Sequence, residues 1–131
     1  MSRSLRKVQK KLRRVTPNWL AATWDGVSIP LIHANGVRKA RQFAGRSDLK
    51  IQLGCGPNIK PGWVNLDLRS SADIRLDLSR RLPFDTNSTQ IIYSEHFLEH
   101  IDYPDAAMGL LAECLRILAP GGVFSVGVPD T

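Results

Sequence analysis

The sequence predicts an α/β domain built on a mostly parallel sheet. Three observations predict it. From residue 48 onward, five short apolar segments alternate with clusters of turn residues. One stretch of helical period lies between the fourth and fifth of them. A glycine turn follows the first segment, and acidic residues fall at the ends of the next two.

Taken in chain order, Leu5, Val8, Leu12 and Val15 share one face of a helix, with Arg and Lys over the rest. Ser2 or Ser4 suits its N-cap and Pro17 its end. Residues 17–36, with Pro17, Gly26, Pro30 and Gly36, read as irregular, and Trp19 and Trp24 as fillers of core or rim. Residues 37–45 predict a second short basic helix stopped at Gly45. Strands are expected at 50–54, 63–68, 73–78, 90–94 and 122–128. A helix is expected over 104–118, with Pro104 in its first turn and Asp102 as cap. Its buried face would hold Ala107, Leu110, Leu111, Cys114, Leu115 and Leu118, and Pro120-Gly121-Gly122 would stop it. Strand, helix and strand joined by tight turns make a parallel crossover.

Composition removes several alternatives. A chain of 131 residues holds one core. Leu, Ile, Val and Phe make up 37 of them, too many for a disordered chain. No apolar run approaches the ~18–20 residues of a membrane span. The basic start has no apolar stretch behind it, so it is not a secretory signal. Cys55 and Cys114 form no CxxC pair, which fits a reducing cytoplasm. The net charge of +6 divides into +10 over residues 1–50 and −4 over the remainder. A basic arm can attract nucleic acid, anionic lipid or an acidic partner, but charge alone specifies none of them. The plainer reading is a solvated face. Residues 1–47 therefore read as a basic helical extension and 48–131 as the domain proper.

In an open parallel sheet, ligands bind beyond the carboxyl ends of the strands. That rule selects Gly54-Cys55-Gly56-Pro57-Asn58, where two glycines let the backbone turn and approach a ligand closely. It selects Asp67 and the adjoining Leu68, because a carboxylate there can accept from both ribose hydroxyls. It selects Asp77 and Leu78, an acceptor for an exocyclic amine beside an apolar wall, and then Ser94-Glu95. Singly, each fits a plain turn or an exposed strand end. In order on consecutive strand ends, they fit a nucleoside.

The ligand reading follows from what is missing. A dinucleotide site wants G-x-G-x-x-G opening a long helix over a pyrophosphate. Here the run is G-C-G-P-N-I, and residues 54–62 hold two prolines. A ribose and an adenine without phosphate fit better, as in S-adenosylmethionine (S-adenosyl-L-methionine), whose methionine end can lie against the glycine turn.

At these residues the sequence resembles a class I S-adenosylmethionine-dependent methyltransferase of the type 11 group, over about residues 49–130. LGCGPN, WVNLD, RLDLSRRLPF, IIYSEHFLEHI and LRILAPGGVFSVGVPD carry the resemblance. It implies a Rossmann-like sheet, with Asp67 as the ribose-binding acid and Asp77 and Leu78 on the adenine side. Two departures stand out. The first crossover is nine residues with no helix, and the family's further C-terminal strands do not follow the fifth. The expectation is therefore a truncated enzyme with its fifth strand at a sheet edge.

His96-Phe97-Leu98-Glu99-His100 also matches the H-x-x-E-H pattern of a zinc peptidase. That chemistry needs a third ligand, with few acids remaining downstream. Certain methyltransferases hold a divalent metal through Glu-x-x-Glu-His, whose first position here is His96. His100 is the candidate base or acceptor contact, and His33 reads as structural, without a partner visible in the sequence. The expected reaction is methyl transfer from a sulfonium to an unidentified nucleophile, which chiefly requires alignment of donor and acceptor. The rival class is a non-catalytic nucleotide-binding or interaction module that works through its basic arm.

Overall fold

The computed structural model describes residues 18–95, 97, 101–102 and 104–127, and side chains from residue 28 onward. The predicted helix over the first fifteen residues lies outside this range. Five strands form one parallel sheet: β1 (Leu49–Leu53), β2 (Val64–Asp67), β3 (Ile74–Arg75), β4 (Thr89–Glu95) and β5 (Leu118–Gly127). Their spatial order is β3-β2-β1-β4-β5. The chain builds outward from β1 to β3 and then returns to add β4 on the other side of β1. This reversal opens a crevice beyond the ends of β1 and β4, where ligands sit in such sheets.

Residue alternation fixes which face is buried. Ile51 pairs with Val64 and Ile92, and Leu53 pairs with Leu66 and Ser94. Ile51, Leu53, Leu66 and Ile92 are fully buried. The opposite face of the same rows carries Lys50, Gln52, Asn65 and Tyr93. The residues between β1 and β2 contain turns and no helix, as their two prolines require.

Two helices complete the core: α1 (Asn18–Ala40) and α2 (Asp105–Ile117). Helix α1 corrects the expectation of an irregular 17–36 followed by a separate basic helix. The helix runs through Pro30 and Gly36, and only a short 3-10 turn (Arg41–Phe43) follows it before Gly45, whose φ is 79°. Proline removes one helical hydrogen bond, and packing at the far end offsets that loss. His33, Gly36, Val37 and Ala40 lie on one helical face and are buried or partly buried. A Cβ on Gly36 would collide with the Arg75 carbonyl oxygen, so glycine here permits close approach to β3. Because Ala40 belongs to the main core, the end of the supposed extension is built into the domain.

Helix α2 is close to its predicted span, but its buried residues are Leu110, Cys114 and Ile117, while Leu115 is 73% exposed. Leu115 lies beyond the edge of the apolar stripe. Asp102 caps with its backbone, not its side chain: the Ala107 N–H donates to its carbonyl at 3.0 Å. Pro-Gly-Gly does not stop the helix. Leu118 is already extended, and Pro120-Gly121-Gly122 lies inside β5. Between Thr89 and Ile91 of β4 the register jumps from Leu118 to Val123, so the extra residues bulge, with Gly121 at φ 81°. The third predicted strand shrinks to Ile74–Arg75, although the Leu76 N–H still reaches the Asp67 carbonyl at 3.0 Å. Among the described residues β5 is a sheet edge, and no helix is long and apolar enough to cross a membrane.

Candidate cofactor site

The glycine turn leaves β1 with left-handed backbone at Gly54 (φ 65°) and Gly56 (φ 52°). The Leu66 carbonyl accepts from the N–H groups of Gly54 (2.8 Å) and Cys55 (3.1 Å), tying the turn to β2. The Gly56 N–H donates to Asp67 Oδ2 at 2.7 Å, and the Arg69 N–H donates to Asp67 Oδ1 at 3.3 Å. Each oxygen of Asp67 therefore accepts one backbone bond and keeps further acceptor capacity. Ser71 Oγ closes the arrangement by donating to the Gly56 carbonyl at 2.7 Å.

Asp77 is built similarly. Its Oδ1 accepts from the Ser79 N–H (3.0 Å) and hydroxyl (2.6 Å). Asp67, Leu68, Asp77 and Leu78 line one cavity of about 220 Å³, whose apolar wall includes Phe97, Ile101 and Ala106. The Phe97 ring covers Gly54 so closely that a Cβ there would collide with it. A second cavity of about 500 Å³ contains Gly54, Cys55 and Gly56 together with Gln52, Lys60, Tyr93 and Glu95. The Gly56–Asp67 hydrogen bond joins a residue of each cavity.

The first cavity alone is smaller than the ~300–1,000 Å³ usual for whole small-molecule ligands. It suits one end of a longer molecule, with the second cavity for the rest. The donor set also fits a nucleoside: two carboxylates with spare acceptor capacity beside leucine and phenylalanine walls. Ser94 lines neither cavity. It is fully buried, and its Oγ has no hydrogen-bond partner among the described residues. Cys55 contributes backbone, since its thiol is buried; burial, and then the Asp67 charge, push its pKa up to about 11. Burial pushes Cys114 up to about 12, so neither thiol is a nucleophile near neutrality.

His96, Glu99 and His100 lie outside the described residues. Among the described residues no three ligating side chains converge on a metal position. Sequence reasoning missed Phe97 as a wall and Lys60 above the Tyr93 ring, 4.4 Å from its centroid. It also missed the partner of His33, whose Nδ1 accepts from the Asp77 N–H at 3.1 Å. No periodic signal marks these, because each contact joins different loops or elements.

A family model described as a methyltransferase domain matches residues 56–126, more than half of the chain. No curated protein sequence matches. Among solved structures, a Methanococcus maripaludis protein assigned as an S-adenosyl-L-methionine-dependent methyltransferase aligns with a TM-score of 0.47 and 17% identity. The alignment covers 79% of this chain and 58% of that one, so the present chain spans less than two thirds of its length. On the family match, which runs from Gly56 through the strand ends that follow it, the chain belongs to the methyltransferase domain family of the type 11 group.

Proposed function

We propose that the chain binds S-adenosylmethionine and serves methyl transfer to an acceptor that these residues do not specify. The observation that carries this reading is the shared cavity: Asp67 and Asp77, from successive strand ends, meet beside Leu68, Leu78 and Phe97. Asp67 would accept from the ribose hydroxyls, and Asp77 from the base beside Leu78. The turn at Gly54-Cys55-Gly56 would take the amino-acid end. When bound, that cofactor supplies a methyl group activated by a positively charged sulfur. The chain's own part is to hold, align and exclude water. Phe97 and Ile101 keep the nucleoside end dry. Where the acceptor must lose a proton, His100 is the proposed base. Residues 48–131 would hold the whole cofactor site, with the buried, free Cys55 and Cys114 in keeping with a cytoplasmic setting.

Titration with S-adenosylhomocysteine tests this reading. Saturable binding is expected, weakened at least about a hundredfold by Asp67→Ala, since a carboxylate acceptor for two hydroxyls is removed. A folded protein that shows no saturable binding would overturn it.

A further inference from the structure

We propose that His33 is a positioning residue for the nucleoside end of the site: its neutral ring holds the Asp77 amide, and protonation of that ring releases it. This deepens the cofactor reading above and rests on it.

The contact spans 44 positions of sequence and joins α1 to the loop after β3. Nδ1 of His33 accepts the Asp77 N–H at 3.1 Å, which requires the tautomer protonated on Nε2. His33 as a residue is 7% exposed, and its helix is pressed against the same stretch through Gly36, so the imidazole is held in place. Asp77 is otherwise fixed by Ser79 on Oδ1, and its Oδ2 has no partner among the described residues. That oxygen belongs to a residue lining the smaller cavity. His33 therefore anchors the backbone from which a ligand-facing carboxylate and the wall residue Leu78 both project.

The neighbouring charges act in opposite directions. Burial holds the pKa of His33 below its ordinary value, and Arg80 adds to that effect, whereas Asp77 opposes it. The third charged group on this stretch, Arg75, is turned to the Leu68 carbonyl at 2.7 Å. The neutral, accepting ring thus prevails at neutral pH. A doubly protonated ring has no acceptor and would face the Asp77 N–H with a donor. Acidification should loosen Asp77 as the ring takes up its second proton.

The test uses the full chain, wild type, His33→Asn and His33→Leu, with S-adenosylhomocysteine as probe between pH 5 and pH 8. Asparagine places an acceptor oxygen near the Nδ1 position and does not titrate. Wild-type affinity should fall as the ring protonates on acidification, by about tenfold once protonation is complete, the size of one lost hydrogen bond. His33→Asn should bind within about threefold of wild type at pH 8 and stay flat, whereas His33→Leu should be about tenfold weaker at every pH. The second readout needs no ligand: the Asp77 amide resonance should move with the His33 ring titration in wild type and stay still in His33→Asn. An Asp77 amide indifferent to the ring overturns the proposal whether or not the probe binds. A pH dependence that survives in His33→Asn also overturns it. A wild type that does not bind the probe at pH 8, with the amide coupling intact, sinks the cofactor reading and leaves the contact itself standing.

Discussion

Helix α1 meets the sheet through His33, Gly36, Val37 and Ala40, whereas α2 meets the core through Leu110, Cys114 and Ile117. Large apolar side chains dock α2 by removing surface from water, a force that tolerates small displacements. Helix α1 docks by close approach. A missing Cβ at Gly36 lets its backbone reach the Arg75 carbonyl, and a buried imidazole takes up the Asp77 N–H that this approach brings within reach. The lesson is that an apolar stripe announces the first kind of contact. The second kind is written in a glycine and a histidine that separately look like a breaker and a filler.

Substitutions can break that comparison, and the largest effect should come from the close approach. Gly36→Val is expected to destabilise by about 3 kcal/mol or more in urea unfolding, because the obstacle is backbone and cannot rotate away. A neutral result would mean that α1 does not lie on β3. Next comes Ile117→Ala, expected to cost about 2–5 kcal/mol because the side chain is fully buried. Leu115→Ala should stay within about 0.5 kcal/mol, since that leucine is 73% exposed. Equal losses at the two sites would show that the wrong face of α2 had been placed inward.

A polar clamp reinforces α2. Arg116 donates to Glu113 Oε2 (2.8 Å) and to the carbonyls of Leu82 (2.8 Å) and Phe84 (2.9 Å), while the Leu82 N–H donates to Glu113 Oε1 (2.8 Å). Arg116→Leu should cost about 2 kcal/mol, as bonds to charged groups do. The Arg116 bond holds the Glu113 carboxyl below its usual pKa, with the Leu82 N–H adding to this. That contribution is present above the unfolded carboxylate value, about 4.3, and is lost as pH falls below it. Denaturation midpoints between pH 7 and pH 3 should decline less in Arg116→Leu than in wild type. One substitution on the same helix should instead give a modest gain. Gly109→Ala enters open space on α2 and should stabilise by about 1 kcal/mol through helix propensity alone. Alanine would thus help one helix where the bulkier valine at Gly36 ruins the other.

Much of the site was legible because its logic is local. A strand end, a glycine pair and an acid at the next strand end sit within a few residues of each other, and a parallel sheet brings all strand ends to one edge. Asp67, Leu68, Asp77 and Leu78 accordingly share a cavity. Ser94 did not join them, because alternation along β4 places it in register with buried Leu53. The Pro-Gly-Gly turn was misplaced for a related reason. A breaker marks where regular structure must yield, but pairing with β4 decided that it yields as a bulge inside β5.

By itself the sequence determined the strands, their parallel crossover and the acids at their tips, because period, breakers and turn chemistry are properties of neighbouring residues. Only the tertiary structure decided that a proline-containing stretch becomes α1, that Phe97 covers Gly54, and that His33 holds Asp77. Each of these depends on how closely two distant backbones can approach, and that distance is set by the packing of the whole core.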